Sequence, residues 1–184
     1  MMTTSTAKAD KPEIPLSNRP FSIDAAALFI EAMSAVTQPV SVVTAAAPDR
    51  PFGLTVGSFV SVSVRPKLIS VALNNQSLTL TAAIETGRLG VNILGLDGTA
   101  TAARFARTGV DRFASVPWRW DQGLPRLELA QIWIPCSLRS AIAAGDHTIL
   151  LAEVDDVTRV PGPTLAYRDR GYVAAQALPE PAEL

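Results

Sequence analysis

The sequence predicts a mainly β fold with flanking helices, an antiparallel barrel carrying helices on its side. Three observations carry this. About six or seven strand-like segments follow one another without regular helical crossovers, which excludes a doubly wound parallel sheet. Several alternate apolar and polar residues, as Val60, Val62 and Val64 do with Ser61, Ser63 and Arg65. Gly145-Asp146 gives a hairpin signal between the two longest segments. Antiparallel strands with two or three short helices suit a barrel better than open layers.

Taken in order, residues 1–20 read as a tail containing Pro12, Pro15 and Pro20. Ser22 caps a helix through Val36, with Ile23, Ala26, Ala27, Ile30 and Met33 near one apolar stripe and Asp24 in its positive first turn. Pro39 ends the helix, and PVSVVTAAA forms a strand. Pro48-Asp49-Arg50-Pro51 reads as a tight turn. The next strand runs through FGLTVGSFVSVSV with one face buried, and Gly57 interrupts it as a bulge or a close ligand approach. KLISVALNN is a more continuously apolar, more central strand. A helix from Ser77 to Thr86 ends at Gly87, followed by strand RLGVNIL. Thr99 to Arg107 is a short helix, and Phe113 to Leu127 is loop-rich, with Pro117, Gly123 and Pro125. LELAQIWIPCSLRSAIAAG and HTILLAEVDDVTRV are long strands, TLAYRDRGYVAA is a short strand pair, and residues 176–184 form a tail. One domain therefore spans residues 21–175 of the 184.

Composition narrows the function classes. Net charge is −1 with no Lys/Arg cluster, which argues against electrostatic binding to nucleic acid or an anionic membrane. Apolar residues make up 48% and charged ones only 18%, so a homodimer interface is expected. A single cysteine, Cys136, and a single histidine, His147, allow neither a structural zinc site nor an intrachain disulfide, and no metal is expected. This suits a reducing cytoplasm. The first residues lack the apolar core of a signal peptide, and no apolar run reaches membrane-spanning length.

Motifs for Rossmann, P-loop and nucleophile-elbow chemistry are absent. Cys136 lies inside an apolar strand and reads as a buried thiol, not as half of a Cys–His pair. The run from Gly53 to Gly87 is more informative. It places Thr55, Val56, Gly57 and Ser58 on one strand, and crowds Asn74, Asn75 and Ser77 where the next strand meets a helix. Ser77 is either an ordinary N-cap or, with Thr79 and free N–H groups, the holder of a phosphate. Thr55 and Ser58 are either outward-facing strand residues or ligand contacts, and Asn74 and Asn75 turn the chain or line the site. His147 is either a satisfied, partly buried histidine or a functional residue beside a loop. Arg104 and Arg107 read most simply as solvated charges.

The order and spacing of these elements, from Ser22 to Val173, resemble the flavin reductase family. The match runs through Thr55 to Ser63, Pro66, Ile69 to Leu73, Ser77 with Thr79, and Leu89 to Leu94. It continues in RFA at Arg104 to Ala106, DRFA at Asp111 to Ala114, GLPRLE at Gly123 to Glu128, GDHTILLAEV at Gly145 to Val154, and TLAYRDRGY at Thr164 to Tyr172. Gly57 stands where that family often has Asn, Leu89 replaces an aromatic residue, and Arg65-Pro66-Lys67 replaces a proline pair.

The resemblance implies an FMN-binding split barrel that transfers hydride from NADH or NADPH to FMN or FAD. Carried over, Thr55, Val56, Gly57 and Ser58 would meet the isoalloxazine edge through backbone groups and hydroxyls. Ala72, Leu73 and Asn74 would flank the ribityl chain, and Ser77 and Thr79 would bind the phosphate, with Arg104 adding charge. His147 would place the nicotinamide, and Tyr172 would close the site. A partner monooxygenase would receive the reduced flavin. The alternatives are a non-catalytic flavin- or haem-binding split barrel, with His147 as an axial ligand, and a reductase for another acceptor such as a corrinoid or a ferric complex.

Overall fold

The computed structural model describes residues 23–48 and 50–175. The expected tails, the Ser22 cap and Asp49 lie outside them. The chain divides after Met33. The described part of the first unit is helical, all of it in α1 (Ile23–Ser34), whose last residue opens the second unit. Of its expected stripe, Ala26 is half-buried whereas Ala27, Ile30 and Met33 are exposed.

In the second unit, β1 (Gln38–Pro39) leads into β2 (Ser41–Ala47) and β3 (Arg50–Val56). Ala47 pairs with Arg50, so Arg50 and Pro51 belong to β3 and the expected four-residue turn is shorter. The single strand expected through Gly57 is two, because pairing stops at Gly57-Ser58-Phe59 and resumes in β4 (Val60–Val64). β5 (Lys67–Asn74), helix α2 (Leu78–Thr86) and β6 (Arg88–Leu94) follow. A 3-10 turn at Leu96–Gly98 runs into α3 (Thr99–Phe105). The expected loop after it contains a hairpin, β7 (Trp118–Asp121) with β8 (Leu124–Leu127). Its Gln122-Gly123 turn has φ of 51° and 78°, the left-handed pair that a two-residue hairpin requires. The chain closes with β9 (Ala130–Ala144), β10 (His147–Val154), β11 (Thr158–Arg159), β12 (Leu165–Arg168) and β13 (Gly171–Ala174).

The main sheet runs β3-β2-β6-β9-β10-β5-β4, with β11 beside β9 and every pairing antiparallel. Its two ends, β3 and β4, are joined by three residues, which span at most ~14 Å from Val56 to Val60. The sheet therefore has to curl until its ends meet. The seam is made by Ser58, whose Oγ donates to Ala72 O at 2.9 Å and accepts from Ala72 N–H at 3.0 Å. β4 continues past that seam as an edge. Its valines are correspondingly exposed, Val64 to 80%, contrary to the buried face that their alternation suggests. Nothing pairs with β4 on its outer side among the described strands.

Period-2 burial fills the barrel. Ile69, Val71 and Leu73 of β5 meet Leu89, Val91 and Ile93 of β6, Ile134 and Cys136 of β9, and Leu80, Ala82 and Ala83 of α2. A second cluster lies on the other face of β2, where Val40, Val42 and Leu94 pack with Phe105, Phe113 and Leu127. β2 is buried on both faces, which explains its unbroken apolar run. The polar Asn92 is buried but fully engaged. It donates to Val42 O and Thr44 Oγ1 and accepts from Leu127 N–H, while Thr44 Oγ1 donates to Pro125 O at 2.7 Å. This network fixes the β7–β8 hairpin against β2 and β6.

Candidate functional site

A cleft of about 930 Å³ lies between β3, the start of α2 and the segment after α3. A smaller pocket of about 240 Å³ lies among β1, the end of β3 and the β12–β13 hairpin. Thr55 and Ala106 line both, so the two spaces adjoin.

One end of the cleft is formed by the N-terminus of α2. Ser77 has extended backbone (φ −76°, ψ 125°) and its Oγ accepts from Thr79 N–H at 3.2 Å, an N-cap. Asn74 Oδ1 accepts from Gln76 N–H at 2.9 Å, shaping the turn that leads into the helix. α2 has no acidic residue in its first turn, so no side chain of its own offsets the positive end of its dipole; Asp111 lines the same cleft. Gly87, with φ of 67°, closes the helix as expected.

Arg50 and Arg112 are the cationic side chains lining this cleft, and the sequence reading assigned neither a role, although DRFA contains Arg112. Arg112 Nη1 donates to Gly53 O at 2.7 Å and its Nε to Arg107 O at 2.8 Å. Partial burial lowers its pKa from the ordinary guanidinium value. Arg104, expected to add charge here, donates instead to the carbonyls of Arg112 at 3.1 Å and Asp111 at 2.7 Å. It does not line the cleft; it holds the loop that carries Arg112.

At the other end, Thr55 Oγ1 donates to Ala102 O, and the Ser58 hydroxyl is engaged at the barrel seam. Val56 and Gly57 line the smaller pocket. Of the three β5 residues expected beside them, Asn74 lines the cleft, Ala72 is half-buried at the seam, and the Leu73 side chain lies wholly in the core. Tyr172 lines the smaller pocket with Tyr167, their rings edge to face at 5.3 Å. Burial, and then Tyr167, raise the Tyr172 hydroxyl pKa.

His147 opens β10 opposite Asn74. Its Nδ1 lies 2.8 Å from Asp146 Oδ1, and the pair sits at the surface beside the cleft, lining neither space. The hydrogen bond to His147, and then its charge, hold the Asp146 carboxyl below the usual range. Asn75 fixes this hairpin, donating to Gly145 O and accepting from the Thr148 hydroxyl. Cys136 pairs with Val154 at the opposite end of β10, seven residues or about 23 Å from His147, so the two form no nucleophilic pair.

A partly open space with a helix N-terminus at one end and strand backbone at the other fits a flavin nucleotide. The comparisons with known proteins agree. The flavin reductase like domain matches residues 33–176. A flavin reductase (NADH) of Kitasatospora aureofaciens is 36% identical over 166 residues, covering 86% of each chain. A flavin reductase (NADPH) of Lentzea aerocolonigenes is 37% identical over 144 residues, 76% of this chain and 84% of that one. The solved styrene monooxygenase flavin reductase from Pseudomonas putida S12 superposes with a TM-score of 0.74 at 26% identity, over 82% of this chain and 98% of that one.

The fold and site define a split-barrel flavoprotein oxidoreductase. The chain belongs to the flavin reductase family, and it is an NAD(P)H-dependent flavin reductase.

Proposed function

We propose that this chain is the reductase component of a two-component system. FMN or FAD lies along the cleft, NADH or NADPH reduces it, and reduced flavin passes to a separate monooxygenase. The carrying observation is that the N-terminus of α2 and Arg112 face the same cleft that Thr55 lines. When bound, the flavin supplies the redox chemistry, accepting hydride from the nicotinamide. The protein supplies position. Ser77, Thr79 and Arg112 hold the phosphate, with Arg104 acting through the Arg112 loop. Backbone groups of Thr55 to Ser58 meet the ring, Ala72, the Leu73 backbone and Asn74 flank the ribityl chain, His147 orients the nicotinamide from the rim, and Tyr172 closes the far side.

The partly open cleft supports exchange of flavin as a diffusing substrate, as hand-over to a second protein requires. Low charge content and the exposed valines of β4 support a homodimer. The buried lone Cys136 and the use of reduced nicotinamide support a cytoplasmic location.

The test is oxidation of NADH and NADPH by purified protein with FMN and with FAD. Turnover in at least one of the four pairings is expected. Failure of all four overturns the reading.

A further inference from the structure

The structure leaves a gap at the ring end of the cleft. Of the four positions expected to meet the flavin ring there, Thr55 to Ser58, none leaves a side-chain hydrogen-bonding group free. Thr55 donates its hydroxyl to Ala102 O, Ser58 has both donor and acceptor engaged with Ala72, and Gly57 has no side chain.

A different residue stands in that place. Gln38 on β1 lines the smaller pocket with Val56 and Gly57. A Cβ on residue 57 would lie 2.9 Å from Gln38 Cδ and 3.0 Å from Gln38 Cβ, and closer still to Oε1. Gln38 thus occupies the volume that any larger residue at 57 would need. The Gln38 carboxamide hydrogen-bonds to no described residue. Its backbone is held by pairing with Tyr167, so the side chain rises from a fixed position.

The geometry points to Gln38 as a flavin-contacting residue whose carboxamide hydrogen-bonds the pyrimidine edge of the isoalloxazine ring, in the notch that Gly57 leaves open. This rests on the flavin reading above. The chemistry matches. That edge presents carbonyl oxygens flanking an N–H, and a carboxamide offers both a donor and an acceptor. The position is linked to Gly57 by steric exclusion, so the two residues work as one unit.

The test is a mutant cycle read by flavin titration, using fluorescence quenching and the visible absorption of the bound flavin. Q38A is expected to weaken oxidised flavin binding roughly five- to tenfold and to shift the bound absorption bands. Flavin KM should rise while kcat at saturating flavin stays within about twofold of wild type. G57A should mimic Q38A by displacing the amide. The double variant should bind no more than about twofold worse than G57A alone. Q38E keeps the length but loses the N–H donors, and is expected to bind as weakly as Q38A. It serves if Q38A alters the melting profile.

Wild-type affinity and unshifted bands in Q38A overturn the assignment, as do Q38A and G57A losses that multiply. A wild-type protein that binds neither FMN nor FAD overturns the flavin reading itself, and the assignment with it.

Discussion

Thr55 Oγ1 donates to Ala102 O at 2.7 Å, joining the end of β3 to α3. Thr55 lines both spaces of the site, yet its hydroxyl serves the scaffold. T55V is therefore expected to cost about 1 kcal/mol of stability, the worth of one partly buried hydrogen bond, with flavin affinity within about twofold of wild type. T55S should restore the stability. Denaturant unfolding and flavin titration separate the two effects. A large affinity loss without a stability loss would return the hydroxyl to the ligand.

Ser77 combines two roles that a pair of measurements can separate. As an N-cap it contributes about 1 kcal/mol, so S77A should lower stability by that amount. As part of the anion site it should also weaken FMN binding, and the loss should shrink for riboflavin, which lacks the phosphate. R112A should weaken FMN more strongly than R104A, because of the two only Arg112 lines the cleft. Equal losses for FMN and riboflavin in both S77A and R112A would remove the phosphate from this end.

His147 sits at the rim, so H147A should raise the nicotinamide KM or lower kcat while leaving flavin affinity nearly unchanged. Its neighbour adds a pH signature. Asp146 has a depressed carboxyl pKa because His147 bonds it. A depressed carboxyl contributes stability above its ordinary pKa and loses it as pH falls through the lower folded value. That interval lies below about pH 4. D146N should remove this acid-side change, as followed by the His147 ring signals in a proton NMR titration. An identical acid limb in D146N would show that the pair is not coupled.

The architecture was readable in part. β6 sits between two clusters, whereas β5, read as continuously apolar and central, buries only alternate residues and lies next to the terminal strand β4. Turn chemistry also carried, at Gly87 and at Gly145-Asp146. The failures have physical causes. The alternating valines of β4 gave the right element and the wrong burial, because periodicity does not reveal that a strand overhangs the seam. The β7–β8 hairpin was hidden by Pro117, Gly123 and Pro125. Pro125 is tolerated in a two-stranded ribbon, where its carbonyl still accepts from Thr44. At the site, the Ser77 cap was readable because a helix follows a strand directly. The choice between Arg104 and Arg112 was not, since both guanidinium groups engage backbone carbonyls and only the fold decides which of them lines the cleft. Gln38 carried no sequence signal at all, lying beside Gly57 only through the fold.

Cys136 gives a prediction independent of any ligand. Its thiol is fully buried between Leu89 and Val154, and burial, then the charge of Asp155, push its pKa up to about 12 from 9.0, with Arg88 opposing. The native thiol is thus neutral and shielded, and a thiol reagent should label it only in denaturant. The sign with pH follows directly. The unfolded thiol ionises first, so its stabilising contribution is intact below about pH 9 and drains away as pH rises toward 12. The full interval is worth on the order of 4 kcal/mol. C136A should lose some stability at neutral pH through the space it leaves, yet fall less steeply between about pH 9 and about pH 11. Parallel slopes for wild type and C136A, or rapid native labelling, would mean that the thiol is not sealed in the barrel core.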